Sequence, residues 1–272
     1  MKKWIFVLLF CGSVLSFSQQ TKTTPGFFKS VASYFKPDER KLYKETQSIT
    51  KATGGTILIR NHTGSITVKG SEEQKLTIEA LIKGPAEKIA DTKISTKKTH
   101  SEITIETTSK TTEPPLPVSY TVTIPKTMSL IIEQIRGDIV VDTIIGTLTL
   151  ETDEGSITVT QGAESITARA PNGMVTLDIE KLLPQASIFV ETGGKISLAL
   201  QPQASARLSA RSNHGFVSSQ LPITLDAITL PSLDKKTWDG LRRCVDGMIG
   251  TGDSSIVLNA NGSISILDRT AS

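Results

Sequence analysis

Four carboxylates, Asp138, Asp142, Asp153 and Glu154, fall close together in this 272-residue chain. Paired carboxylates cleave glycosidic bonds, one as general acid and the other as base or nucleophile. Their spacing puts them near the corners of successive turns of chain and makes a loose acidic patch. Glu133, Arg136 and Arg169 lie nearby, but no paired base stands with the four, and surface solvation accounts for these charges more simply. His62, His100 and His214 sit in separate segments and offer no metal-ligand spacing. Gly54-Gly55 and Gly193-Gly194 neither open a helix nor precede Lys-Ser/Thr, so they are not phosphate loops. Neither a Gly-x-Ser-x-Gly nucleophile elbow nor a calcium-binding Gly-Gly-x-Gly-x-Asp repeat occurs. The sequence therefore offers no catalytic residues, no cofactor site and no metal ligands.

Hydroxyls form a second set. Thr147, Thr149, Ser156, Thr158, Ser165 and Thr167 alternate with apolar residues. Side chains on a strand alternate between its faces, so these six point outward. Such rows would suit a glycan or another ordered surface, even ice. Thr and Ser are also ordinary solvent-facing strand residues, and Asp138, Val140 and Met174 interrupt the rows.

The elements that carry both sets repeat. Gly137-Asp-Ile-Val-Val, Gly146-Thr-Leu-Thr-Leu, Gly155-Ser-Ile-Thr-Val, Glu164-Ser-Ile-Thr-Ala and Gly173-Met-Val-Thr-Leu follow one another every nine residues. Each unit is a turn residue and a short run with period two, the pattern of a half-buried strand. Repetition at fixed spacing marks a stacked architecture. The pattern predicts an all-β fold: a parallel β-solenoid with two short strands in each coil of about 18 to 20 residues, preceded by a small antiparallel β region. The inward residues are Ile139/Val141, Leu148/Leu150, Ile157/Val159, Ile166/Ala168 and Val175/Leu177. At Glu164 the corner lacks glycine, so that turn is of another type or Gly162 supplies its special conformation.

The chain divides into a leader (1–18), a connector with a short amphipathic helix (19–45), an N-terminal β region capping the solenoid (46–128) and the solenoid (129–272). Lys2-Lys3, the apolar run Trp4 to Phe10, and Ser16 and Ser18 before Gln19 read as a cleaved secretory signal; a retained anchor is the alternative. Cys11 would suit a lipoprotein, but Phe10 precedes it where a small residue is wanted. Phe27, Phe28, Val31 and Phe35 recur at helical spacing until Pro37. That segment either contacts a membrane or partner, or caps the β region; only Lys29 and Lys36 are basic on its polar face, which favours the cap. Within the β region, Leu76 to Lys83, Glu102 to Thr107 and Tyr120 to Pro125 read as strands, and Pro85 to Lys97 as a brief helix or loop. The stretches Leu182 to Gln185 and Gln201 to Ser205 are insertions, and 221–249 breaks the rhythm with a loop holding one helical turn or two. That insertion and the N-terminal region are the expected caps.

The formal charge of +3 falls to about +1 once Lys2 and Lys3 leave with the signal. Charge therefore gives no case for nucleic acid. After cleavage Cys244 is the one cysteine left, so no internal disulfide is available, and it reads as a small buried hydrophobe.

Val122-Thr-Ile-Pro-Lys126, the Gly-x-Ile-x-Val units, Ile249-Gly-Thr-Gly-Asp-Ser-Ser-Ile-Val-Leu and Gly262-Ser-Ile-Ser-Ile resemble the bacterial putative-adhesin family DUF4097. The resemblance spans roughly residues 50 to 270 and implies an exported or envelope β-repeat protein with no established catalytic residues. The resulting expectation is a non-enzymatic, adhesin-like binding or scaffolding module, in the periplasm, at the surface or secreted, with an envelope protein or glycan as partner. A carbohydrate-active enzyme on the same scaffold, and a structural subunit docked through Phe27 to Phe35, are the alternatives.

The inward–outward assignment is tested by two neighbouring substitutions. Ile157→Asp abolishes soluble folding, whereas Thr158→Asp leaves soluble yield unchanged; equal yields would sink the assignment.

Overall fold

The computed structural model describes residues 39–49, 55–111, 113–162, 164–226 and 235–271. The leader and the aromatic segment with Phe27, Phe28, Val31 and Phe35 lie outside the described residues.

The elements in chain order are β1 (Glu39–Ser48), β2 (Thr56–Thr63), β3 (Ile66–Ser71), β4 (Lys75–Gly84), α1 (Ala86–Asp91), β5 (Thr92–Lys98), β6 (Glu102–Ser109) and β7 (Val118–Pro125). There follow β8 (Ser129–Arg136), β9 (Ile139–Asp142), β10 (Leu148–Glu154), β11 (Ile157–Thr160), β12 (Ser165–Ala170), β13 (Val175–Ile179), β14 (Ser187–Thr192), β15 (Ile196–Leu200), β16 (Ala206–Ser212) and β17 (Val217–Ser219). The chain closes with β18 (Thr224–Leu225), α2 (Lys235–Arg243), β19 (Cys244–Ile249), β20 (Ser254–Ala260), β21 (Ile264–Asp268) and a short 3-10 turn.

Two sheets face each other, and from β7 to β18 successive strands alternate between them. The first runs β1-β4-β7-β3-β9-β11-β13-β15-β21-β17, and the second β18-β19-β16-β20-β14-β12-β10-β8-β2-β6-β5. Pairing along the middle of both is parallel, with β10 beside β8 and β12, and β11 beside β9 and β13. This is the expected β-solenoid, with one strand of each coil in each sheet. All ten expected inward residues are buried, from Ile139 and Val141 to Val175 and Leu177. They belong to one continuous aliphatic core. Each fully buried Ile, Leu or Val contributes about 1.5 to 3 kcal/mol.

The coils are not stacked in chain order. Coil β2/β3 lies between β6/β7 and β8/β9. At the other end coil β20/β21 lies between β14/β15 and β16/β17. The N-terminal region joins the same stack. Its antiparallel pairs, β1 with β4, β4 with β7 and β5 with β6, fringe a parallel stack that already includes β2, β3, β6 and β7. Gly55-Thr-Ile-Leu-Ile and Gly64-Ser-Ile-Thr-Val, which lead into β2 and β3, fit the same repeat and mark that early entry. Strand β1 begins at Glu39, inside the stretch read as connector. Arg40, Lys41 and Lys44 hide its alternation, and main-chain pairing to β4 supplies what apolar pattern does not. At the far end, the stretch expected to be a loop with one or two helical turns forms α2 and then β19, which pairs antiparallel with β16.

One corner of every coil is tight. A Cβ placed on Gly173 would lie 1.7 Å from the carbonyl oxygen of Gly155, and one on Gly155 would lie 2.0 Å from that of Gly137. The same contact recurs from Gly137 to Gly64 and from Gly194 to Gly173. Beneath this column, buried polar side chains donate to the corner carbonyls. Gln134 Nε2 reaches Arg136 O at 2.6 Å, Thr152 Oγ1 reaches Gly137 O at 3.1 Å, and Thr192 Oγ1 reaches Gly173 O at 2.7 Å. Ser212 Oγ does the same for Gly262 O at 2.8 Å. A buried carbonyl without a donor would cost about as much as a lost hydrogen bond. The opposite corner is wider, and there Gly162, with φ +85, supplies the special conformation that Glu164 does not.

In the N-terminal coils the Tyr120 hydroxyl donates to Thr107 Oγ1 at 2.6 Å, which donates to Asn61 Oδ1 at 3.1 Å. Burial pushes the Tyr120 phenol up to about 12. The phenol thus favours folding below its ordinary pKa near 10, and this contribution disappears as pH rises from there through 12.

Two stability measurements follow from these contacts. Gly173→Ala lowers unfolding free energy by about 1 to 3 kcal/mol or more through overpacking against backbone. Gly240→Ala, on α2 with nothing within 4 Å of the added carbon, is neutral or stabilising by up to about 1 kcal/mol. Equal effects would remove the column as the cause. For Tyr120, denaturant unfolding at pH 9 and pH 11.5 shows the wild-type advantage over Tyr120→Phe shrinking by roughly 2 kcal/mol; identical pH slopes would contradict the buried network.

Candidate functional site

The second sheet presents a broad face ordered in rows, because parallel strands in register bring equivalent residues side by side. Neighbouring strands are about 4.8 Å apart. One row is hydroxylic: Thr56, Ser129, Thr147, Ser165, Ser187 and Ser255. The next contains Ile131, Thr149, Thr167, Phe189 and Val257, all half-buried. Leu58 continues this row on β2 and is buried. The third contains planar polar groups: Glu133, Glu151, Arg169, Glu191 and Asn259.

Charge along the third row is partly paired. Arg60 Nε meets Glu133 at 2.8 Å, and Arg169 Nε approaches Glu191 at 3.7 Å. The hydrogen bond and charge of Glu133 raise Arg60 above its ordinary value. The Arg169 guanidinium also stands 5.7 Å from the centroid of the Phe189 ring. These pairs are solvent-exposed, so they orient side chains more than they stabilise the fold. A shallow depression of about 580 Å³ opens where this row meets the tight corner, bordered by Arg169, Glu191, Arg211, Asn213, Asn259 and Asn261.

The six hydroxyl residues read from the sequence do not share one face. Thr147, Thr149, Ser165 and Thr167 lie on the exterior of the second sheet, while Thr158 lies on the first beside Val140 and Thr176. Ser156 leads into the same first-sheet strand. A nine-residue repeat with two strands per coil sends alternate units to opposite sheets. Ser129, Ser187, Ser255 and Phe189 escaped that reading. A Ser/Thr-Ile/Leu-x-apolar tetrad recurs at Ser129, Thr147, Ser165, Ser187 and Ser255, but Ser156-Ile-Thr-Val on the first sheet matches it too, so the tetrad alone does not mark the row.

The acidic patch does not assemble. Asp142 ends β9 at the wide corner, where Thr143 Oγ1 donates to it at 2.9 Å. Asp138 stands at the tight corner and accepts from the Ser156 amide at 2.8 Å. Glu154 is held by Arg136 at 2.7 and 3.1 Å. Hydrogen bonding from Arg136 lowers the Glu154 carboxyl below its ordinary value, the wrong direction for a general acid. His62 is near the end of β2, and His100 and His214 are in separate turns. Cys244 is half-buried rather than buried, with Sγ 3.8 Å from Asp246 Oδ2.

A second concavity follows the wide corner. It is an open groove of about 600 Å³ with Ile145, Leu182, Leu183 and Pro184 on its walls and Gln161 and Gln201 beside them. The two insertions in the repeat line it. Thr143, Gln161 and Gln185, the non-glycine residues with positive φ among those described, all belong to this side of the stack. Among the described residues no helix is long and apolar enough to cross a membrane.

No family model matches the sequence, and no curated protein is similar to it at the sequence level. Solved structures do resemble the fold. A "putative cell adhesion protein" from Clostridium sporogenes is 13% identical, with a TM-score of 0.50 over 83% of this chain and 99% of its own. A "putative adhesin" from Bacteroides fragilis is 11% identical, with a TM-score of 0.40 over 84% of this chain and 97% of its own.

Proposed function

We propose that the protein is a non-enzymatic, exported module of the cell envelope that binds or scaffolds in the manner expected of DUF4097, using the exterior of its second sheet. The observation that carries this reading is the extent of that face. Three rows of side chains stay in register over at least five strands, on a backbone fixed by parallel pairing and by the glycine column. A rigid, periodic surface loses little conformational entropy on binding, which favours an extended partner. The leader with Ser16 and Ser18 supports export. The likeness to the Clostridium sporogenes protein supports the same architecture.

The competing enzyme reading needs a general acid whose pKa is raised by burial, beside a second carboxylate. Asp142 lies at the opposite corner from Asp138, Asp153 and Glu154, and Glu154 is shifted the other way. The binding reading uses the flat face without demanding a cleft.

Cell fractionation with mass spectrometry of the intact protein tests the envelope assignment. The expected product begins at Gln19 and partitions outside the cytoplasm. A cytoplasmic product that still begins at Met1 would overturn the assignment.

A further inference from the structure

We infer that the face of the second sheet takes a neutral glycan, and that the glycan runs across the strands along the row Ile131, Thr149, Thr167, Phe189 and Val257. This inference rests on the binding reading above and names the ligand class of the same surface.

The row is a narrow apolar strip. Its five members sit on adjacent strands β8, β10, β12, β14 and β20, so it extends about 19 Å at the usual strand spacing. The two threonines contribute methyl groups, Ile131 and Val257 contribute branched aliphatic groups, and Phe189 contributes a ring. All five are half-buried rather than covered. Hydroxyls line one edge, from Ser129 to Ser255. Carboxylates, a guanidinium and an amide line the other, from Glu133 to Asn259. A pyranose has complementary parts: an apolar C–H face and a rim of hydroxyls that both donate and accept. Its face fits the strip and its rim reaches both edges.

Phe189 gives the strip its strongest anchor, since an aromatic ring offers a large apolar surface at low entropic cost. With Arg169 5.7 Å from the ring centroid, a sugar beside the ring also meets guanidinium N–H donors in fixed geometry. The charge of the row argues against polyanions. Glu151 and Glu191 flank Arg169, and the cations at the row's ends, Arg60 and Arg211, are paired with Glu133 and Asp246. Nucleic acid, sulfated glycans and anionic lipid surfaces all require a cationic excess. The first sheet lacks this arrangement. Its corresponding row, Thr67, Val140, Thr158, Thr176 and Ser197, has no aromatic member.

The test exposes the mature chain to immobilised neutral polysaccharides, sulfated and uronate polysaccharides, and extracted envelope proteins. Phe189→Ala, Thr167→Asp and, on the first sheet, Thr176→Asp are compared with wild type, with thermal midpoints measured in parallel. The expected result is saturable binding to a neutral glycan that falls by at least about tenfold in Phe189→Ala and Thr167→Asp, with thermal midpoints and Thr176→Asp binding unchanged. Binding confined to the polyanionic glycans would overturn the inference, as would neutral-glycan binding that neither second-sheet variant weakens. Binding to an envelope protein alone would overturn the glycan and leave the binding reading standing. Failure to bind any of the three classes would count against both.

Discussion

The close approach of backbone to backbone at the tight corners governs this molecule. Coils hydrogen-bonded as parallel strands must sit about 4.8 Å apart, and a corner that turned with any side chain would force them wider. Gly137, Gly155, Gly173 and Gly194 let each Cα rest against the carbonyl oxygen of the coil before. That contact buries carbonyls, and the buried carbonyls require donors. Gln134, Thr152, Thr192 and Ser212 supply them from within the core. A dry corner column and a polar spine beneath it are therefore two parts of one solution. The outer rows depend on it too, because they stay aligned only if every coil repeats the same step.

The two exteriors then diverge, although the same corner sets both. The second sheet has longer strands than the first along the middle of the stack, and its rows combine hydroxyls, methyl groups, an aromatic ring and planar charged groups. The first sheet shows mostly small hydroxyl residues there. Such division of labour is natural for a solenoid, where the interior specifies fold and each exterior is free to change. The wide-corner groove is the third variable surface, built where insertions depart from the repeat. Positive φ at Thr143, Gln161 and Gln185 is the local cost of those departures.

Much of the architecture was legible in the sequence, because period two and a glycine every nine or eighteen residues report directly on strands and corners. The inward residues from Ile139 to Leu177 follow from alternation alone. Topology was less legible. Nothing in the composition of Ser254 to Asp268 says that this coil lies inside the one that precedes it, since nearly identical repeats have nearly identical neighbours. Strand β1 was hidden because an edge strand at the end of a stack carries charge rather than an apolar alternation. The binding surface was legible by halves. Outward hydroxyls were identified, but a single nine-residue unit merged strands of the two sheets, and residue type does not tell them apart, since Ser156-Ile-Thr-Val on the first sheet and Ser165-Ile-Thr-Ala on the second share one pattern. Taking every second unit as one sheet, a period of eighteen, would have divided the six hydroxyls correctly. The polar spine also left a trace, as Gln134 and Thr152 occupy positions where parity calls for an apolar side chain.

Coil β20/β21 fills the space between β14/β15 and β16/β17, although it follows both of them in the chain. A chain emerging from the ribosome N-terminus first presents β14 to β17 before the coil that lies between them exists. The growing stack consequently keeps an open edge on β14 and β15 until Ser254 to Asp268 has emerged. Open parallel edges are slow to pair and prone to mispairing. Coil β20/β21 thus serves as a keystone, joining two coils that were made before it. Deleting Ser254 to Asp268 would therefore detach β16/β17 from the stack as well, a loss larger than the residues removed.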